Sequence, residues 1–151
     1  MKKDALTYHL NPESRTIGLE SQSFGQSSLT AGFALAGRAG HVSLALSDRP
    51  WTDAAIQPST DPDLPFDIQD CIRIQMDTTR PGVTVHVQIA HLADRPFLAL
   101  KMAVHNASDT PLHLDRLSLL QIRSGGLNLG GSQTFRPAFY SQGWQAWSSS
   151  G

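Results

Sequence analysis

The sequence predicts an all-β fold, an antiparallel β-sandwich, and three observations predict it. Apolar residues recur with period two rather than 3.6, the alternating runs are short, and turn-forming residues separate them at regular spacing. Successive strand side chains point to opposite faces, so such rows give each sheet one buried and one solvated face. No stretch carries an amphipathic helical pattern, and many short strands joined by turns build sandwiches or barrels.

The elements follow in order. Leu6, Tyr8 and Leu10 alternate until Asn11-Pro12-Glu13-Ser14 interrupts. Leu29, Ala31, Phe33 and Leu35 form a second row and Val42, Leu44 and Leu46 a third, with the glycine-bearing Gly37-Arg38-Ala39-Gly40 as the expected hairpin connection. Ile72, Ile74 and Met76 alternate with Arg73 and Gln75, and Val83, Val85, Val87 and Ile89 alternate on the return. Between these two rows, Asp77 to Gly82 supplies a turn in which Pro81 presets φ and Gly82 accepts a positive one. Leu98, Leu100, Met102 and Val104 make the next strand, a polar loop spans Asn106 to Pro111, and Leu112, Leu114, Leu117 and Leu119 open the last. Asp115-Arg116 breaks that strand's alternation, which predicts a bulge. Two regions do not alternate. Arg49 to Asp67, with four prolines, reads as a long loop, and such loops in compact domains are usually functional or mobile. The other is the tail from Gly125, rich in glycine, serine and aromatics.

The totals bound the function. A chain of 151 residues makes one domain, which typically buries ~70% of its unfolded surface. With 40% hydrophobic and 17% charged residues, composition excludes wholesale disorder. A net charge of -1 with charges scattered singly leaves no footprint for nucleic acid and no basic run for a membrane surface. Met1-Lys2-Lys3-Asp4 is followed by no apolar stretch of signal-peptide length, so Met1 as the true start implies a cytoplasmic protein. Asn106-Ala107-Ser108 matches a glycosylation sequon and reads here as a turn.

Few residues offer chemistry. Cys71 stands alone in an apolar alternating run and reads as a small buried residue; one cysteine makes neither a disulfide framework nor a zinc site. Asp61 and Asp63 flank Pro62, and Asp67 and Asp70 lie three apart; acids beside prolines are more often turn formers than catalytic pairs. His86 and His91 have odd separation and should face opposite sides of a strand, whereas His105 and His113 flank a loop and can approach one another. Two histidines without a third ligand make a weak metal site. No Gly-x-Ser-x-Gly elbow and no glycine-rich phosphate loop before a helix occur. No metal or cofactor is expected.

The tail is the exception. Phe139-Tyr140-Ser141-Gln142-Gly143-Trp144-Gln145-Ala146-Trp147-Ser148 concentrates aromatic faces beside amides, a combination suited to the apolar patches and hydroxyls of sugars. This segment resembles the NGWQSWS signature of α-galactosidase-like enzymes of glycoside hydrolase family 36. The stretch Leu100 to Asn106, the short polar loop after it and Pro111 to Leu117 are similar to the paired strands that lead up to the signature. Gln142 stands where the family commonly has asparagine, and Ala146 where it commonly has serine.

The resemblance implies a supersandwich-like N-terminal accessory domain, here residues 1–151, that ends at the junction to a (β/α)8 catalytic barrel. It implies a retaining α-galactosidase-type parent whose nucleophile and acid/base are aspartates of that barrel, so no catalytic residue falls on this chain. A retaining pair must stand ~5 Å apart across the scissile bond. The implied partners are the barrel itself, an α-galactoside near the domain edge, and a second subunit. Tyr140, Gly143, Trp144, Gln145 and Trp147 are then candidates for docking or substrate contact, and the proline-rich loop with Trp51 and Asp53 for the active-site entrance or subunit contacts. The rival reading is a stand-alone carbohydrate-binding module with Trp51, Trp144 or Trp147 as a stacking platform; a third is a pure oligomerisation domain. Residues 144 and 147 would face opposite sides of a regular strand, which favours docking over a shared platform.

Overall fold

The computed structural model describes residues 6–21, 27–52, 56–58, 68–92 and 97–128. Nine strands and no helix occur among them: β1 (Leu6–Asn11), β2 (Thr16–Ser21), β3 (Ser27–Ala39), β4 (Val42–Ala45), β5 (Ile56–Pro58), β6 (Ile68–Asp77), β7 (Val83–Leu92), β8 (Leu98–Asn106) and β9 (Leu112–Asn128). All pair antiparallel, in two sheets. The first holds β1, β2, β3, β4 and β9; the second runs β5-β6-β7-β8. The all-β class is thus as the sequence predicts.

The core lies between two facing rows. From the second sheet, Ile74 and Met76 of β6 and Val83, Val85, Val87 and Ile89 of β7 are buried; from the first, Ile17, Ala31, Phe33, Leu35 and Leu44 meet them. Each fully buried Val or Ile contributes about 1.5–3 kcal/mol relative to exposure. Gln88 and Ala90, of the opposite parity on β7, are buried as well, and so is Cys71, the register partner of Ala90.

Turns close where side chains can hold them. The Ser14 N–H donates to Asn11 Oδ1 (3.1 Å), bringing Arg15 into the left-handed region at φ 56°. In the β6–β7 turn the Thr78 hydroxyl accepts from the Arg80 N–H and lies 2.9 Å from the Val83 carbonyl, and Gly82 takes φ 78°. Asn106 Oδ1 accepts from the Ser108 N–H (3.1 Å) while its amide donates to the Thr110 carbonyl (2.9 Å), so the sequon-like triplet is a turn.

Three local expectations change. The β3–β4 connection is Gly40-His41, with Gly40 at φ 60°, and β3 runs straight through Gly37-Arg38-Ala39. Gly37 serves close strand approach instead: a Cβ there would overlap the His113 carbonyl oxygen of β9. The stretch read as one long loop contains β5, with Ile56 paired to Ile74. Strand β2 is a further element, with Ile17 fully buried and Leu19 packed against the core.

The first sheet has an asymmetry that positions everything below. Strand β9 lines one edge of β3 along Ser28–Ala39, so β2 and β4 share the other edge. Strand β2 occupies it up to Gly32 and β4 from Ala36, leaving Phe33, Ala34 and Leu35 between them. From there the chain crosses to the second sheet: Leu46 bridges to Thr78, and the Ser47 N–H donates to the Asp77 carbonyl (2.9 Å).

Candidate functional site

The gap on β3 opens a cleft of about 250 Å³. Its walls are the turn Ser14–Thr16, the crossing segment Ala45–Thr52 and the end of β6, and Gln121 of β9 reaches it across Gly32. Part of the lining belongs to the core: Phe33 and Trp51, both buried, stand with ring centroids 5.9 Å apart at 32°, and Met76 and Leu35 are buried as well. The Trp51 N–H donates to the Pro12 carbonyl (3.2 Å), which ties the crossing segment to the β1–β2 turn.

Polar groups make up much of the rest of the lining. Arg15 donates through Nη1 to the Ser47 carbonyl (2.6 Å) and through Nη2 to Asp48 Oδ1 (3.3 Å). The Asp48 side chain is fully exposed, so this ion pair orients the guanidinium more than it stabilises the fold. Arg49, Gln75, Asp77 and Gln121 complete the lining and are exposed.

A second polar cluster clasps the two sheets. His91 Nδ1 stands 2.8 Å from Asp70 Oδ1, its Nε2 lies 3.3 Å from the Leu6 carbonyl, and its ring lies 5.1 Å from that of Tyr8. Burial, then the Asp70 carboxylate and Cys71, push the Tyr8 hydroxyl above its ordinary value. On the other face of β7, His86 stacks on His105 at 6.3 Å, and burial, Arg73 and His105 hold its pKa below the ordinary imidazole value. His86 and His91 thus face opposite sides, as their spacing predicts. His105 finds its partner in His86, and His113 in Asp115 at 3.2 Å. Among the described residues no group of three or more His, Cys, Asp or Glu could hold a metal ion.

A third feature is the flank formed by β9. In register with Leu29, Ala31, Leu35, Gly37 and Ala39 of β3 stand Leu127, Ile122, Leu117, Leu114 and Leu112. Register partners share a face, so this row belongs to the inner, core-forming side. Leu112 packs against the core, whereas Leu114, Leu117, Ile122 and Leu127 are 43% or 44% exposed. Leu119 and Leu120, at a register irregularity, are exposed too.

Of the residues singled out from the sequence, Trp51 lies inside the cleft, packed and buried rather than presented on a loop surface. Asp53, Tyr140, Gly143, Trp144, Gln145 and Trp147 lie outside the described residues, as do Asp61, Asp63 and Asp67. Asp70 is a strand residue engaged with His91. Sequence reasoning missed Arg15, Phe33 and Gln121 as cleft residues. The alternating row marks Phe33 as a strand residue, and nothing in sequence spacing signals that β2 and β4 leave a gap on one edge. No protein-family model, curated protein or solved structure matches the chain.

Proposed function

We propose that this chain is a non-catalytic accessory β-sandwich domain of an α-galactosidase-like retaining glycoside hydrolase. It packs on a catalytic barrel and shapes the active-site entrance or subunit contacts. One observation carries the reading: the inner face of the first sheet stays uncovered along β9, where four large apolar side chains face the core side yet remain more than two-fifths exposed. A contiguous apolar strip of that kind is characteristic of an interaction surface rather than a solvated one. It runs along the strand that leads toward the Trp144–Trp147 segment, whose resemblance to the family-36 signature supplies the identity of the partner. The carboxylates Asp48, Asp70 and Asp115 are paired with Arg15, His91 and His113, arrangements suited to structure rather than to acid/base work.

The test uses the gene product at its full encoded length. Leu117→Asp and Leu114→Asp should lower thermal stability and turnover of an aryl α-galactoside together, with Phe97→Asp, an exposed apolar control just before β8 of the other sheet, close to unchanged. A full-length product without a barrel, or β9 variants indistinguishable from the control, would refute the proposal.

A further inference from the structure

The exposed row on β9 lies beside a second feature, the free backbone edge of β8. We infer that the two together receive an added strand. The occupant is an extended segment of a partner protein, apolar at alternate positions and acidic between them, which pairs antiparallel with β8 and sets its apolar face against Leu114 and Leu117. The inference rests on the proposed docking role of the β9 flank and adds the kind of segment that covers it.

The hydrogen-bond phase of β8 fixes which of its backbone groups turn outward. At the two ends of the β7–β8 pair, the Ala107 N–H donates to the Gly82 carbonyl and the Leu92 N–H to the Phe97 carbonyl. Hydrogen-bonded and non-hydrogen-bonded pairs alternate in an antiparallel ladder, so the odd-numbered residues from Phe97 to Ala107 bond to β7. Leu98, Leu100, Met102 and Val104 then turn their N–H and C=O groups away from β7. Among the described residues no strand pairs with them on that side. The register is unshifted along β8, which contains no proline, so this row is a regular template. The other margins are poorer ones: β5 is three residues long and ends in Pro58, β1 is six residues long, and β9 carries register shifts.

The same four residues point their side chains inward and are only partly buried, whereas Val85, Val87 and Ile89 of β7 are fully buried. The second sheet has four strands against five in the first. Strand β9 is packed at Leu112, but from Leu114 onward its inner row is exposed. A strand added to β8 would stand ~4.8 Å beyond it, with its inner side chains facing that row across the ~10 Å between packed sheets. Burial of the row supplies most of the stabilisation, and the backbone pairing sets direction and register. Charge selects the occupant. The outward side chains of β8 are Ala99, Lys101, Ala103 and His105, with no acid among them, and Arg73 lies in the same cross-strand row as Lys101. A second copy pairing through its own β8 would gather the basic residues of both copies at one seam. Acidic residues opposite Lys101 and His105 stabilise the pair instead, since opposite charges across strands attract and like charges destabilise.

The experiment is titration of the ¹⁵N-labelled chain with the capped peptide Glu-Val-Thr-Val-Glu-Val-Thr-Val, followed by amide shifts and hydrogen exchange. In the antiparallel register its glutamates stand opposite His105 and Lys101, and its valines opposite Val104, Met102, Leu100 and Leu98. Saturable binding is expected to slow exchange at Leu100, Met102 and Val104 about tenfold or more, with little change at Lys101 and Ala103, which already bond to β7. Only the valine N–H groups face β8, so N-methylation of the two middle valines should weaken binding about tenfold and N-methylation of the two threonines less than about twofold. Leu114→Asp, a change to an exposed side chain, and a peptide with lysines in place of the glutamates should each weaken binding too. No saturable binding, equal effects of the two methylations, or tighter binding of the lysine peptide would overturn the inference. So would slow exchange at Leu100, Met102 and Val104 in the free chain, either rising with concentration, which marks a second copy, or independent of it, which marks residues 129–151. Any of these results beside a full-length product destabilised by Leu114→Asp would overturn strand addition and leave the docking proposal in place. A full-length product without a barrel, with the peptide results as expected, would do the reverse.

Discussion

Substituting Gly37 by alanine should force strand β9 away from β3. An added Cβ would overlap the His113 carbonyl oxygen and stand 3.2 Å from Leu114 Cα and 3.3 Å from the His113 carbonyl carbon. All three are backbone atoms of the neighbouring strand, so no side-chain rotation relieves the contact. Overpacking of this kind costs about 1–3 kcal/mol. Alanine recovers roughly 0.5–1 kcal/mol of glycine's chain entropy, but rigid backbone neighbours put the cost near the top of its range. A net loss of about 2 kcal/mol follows, a fall of roughly 4–8 °C in Tm for a chain of this size. Gly32, on the same strand, supplies the control: its added Cβ would meet the Arg15 carbonyl oxygen at 3.6 Å, an ordinary contact, and Gly32→Ala should stay within about 0.5 kcal/mol of the parent. Urea unfolding followed by far-ultraviolet circular dichroism measures both. Equal midpoints for Gly37→Ala and Gly32→Ala would refute the close-approach argument.

Two further outcomes are expected. His86 has a folded-state pKa below its ordinary value of 6.5, through burial, Arg73 and His105, so the unfolded chain binds the proton more readily and stability falls as pH drops below that value. His86→Gln should remove that part of the acid sensitivity in thermal melts from neutrality to about pH 5, and an unchanged pH dependence would refute it. Arg15→Ala and Arg15→Gly both delete the guanidinium, but alanine retains the φ penalty at 56°; the glycine variant should be the more stable by about 1 kcal/mol, and equal unfolding midpoints would show that the position is unstrained.

How much of this was legible depended on whether the information is local. The β6–β7 hairpin was readable because its alternation is strict and Pro81-Gly82 names its turn. The bulge at Asp115 was readable for the same reason, since a broken alternation is a local signal: Ala36 pairs with Arg116 and Gly37 with Leu114, so Asp115 is the extra residue. Gly37 was misread because a glycine that permits close approach looks, in sequence, like a glycine that permits a turn. Strand β5 was hidden by the prolines around it, and Pro58 is its last residue. The cleft was not legible at all. It arises from where β2 ends and β4 begins along the same edge of β3, a property of the topology with no counterpart in residue spacing.

Strand β3 therefore borders the cleft on one edge and the exposed flank on the other, and the irregularity of β9 decides how that flank can be used. Strand β9 spends 17 residues alongside Ser28–Ala39 of β3, with register shifts between Leu29 and Ala31, Gly32 and Ala34, and Ala36 and Gly37. Bulges bend an edge strand, increase its twist and interrupt the row of backbone groups that an incoming strand would need. A partner that added a strand would meet this broken edge. A partner that laid its own surface on the inner face would instead meet Leu114, Leu117, Ile122 and Leu127, which remain on one side because each shift restores their parity with the buried residues of β3. Packing against a face is what a neighbouring domain does, and it is buried apolar area rather than backbone pairing that would stabilise such a contact. This is why charge introduced at Leu114 or Leu117 is the discriminating perturbation: it removes the apolar face and leaves the backbone of the edge as it was.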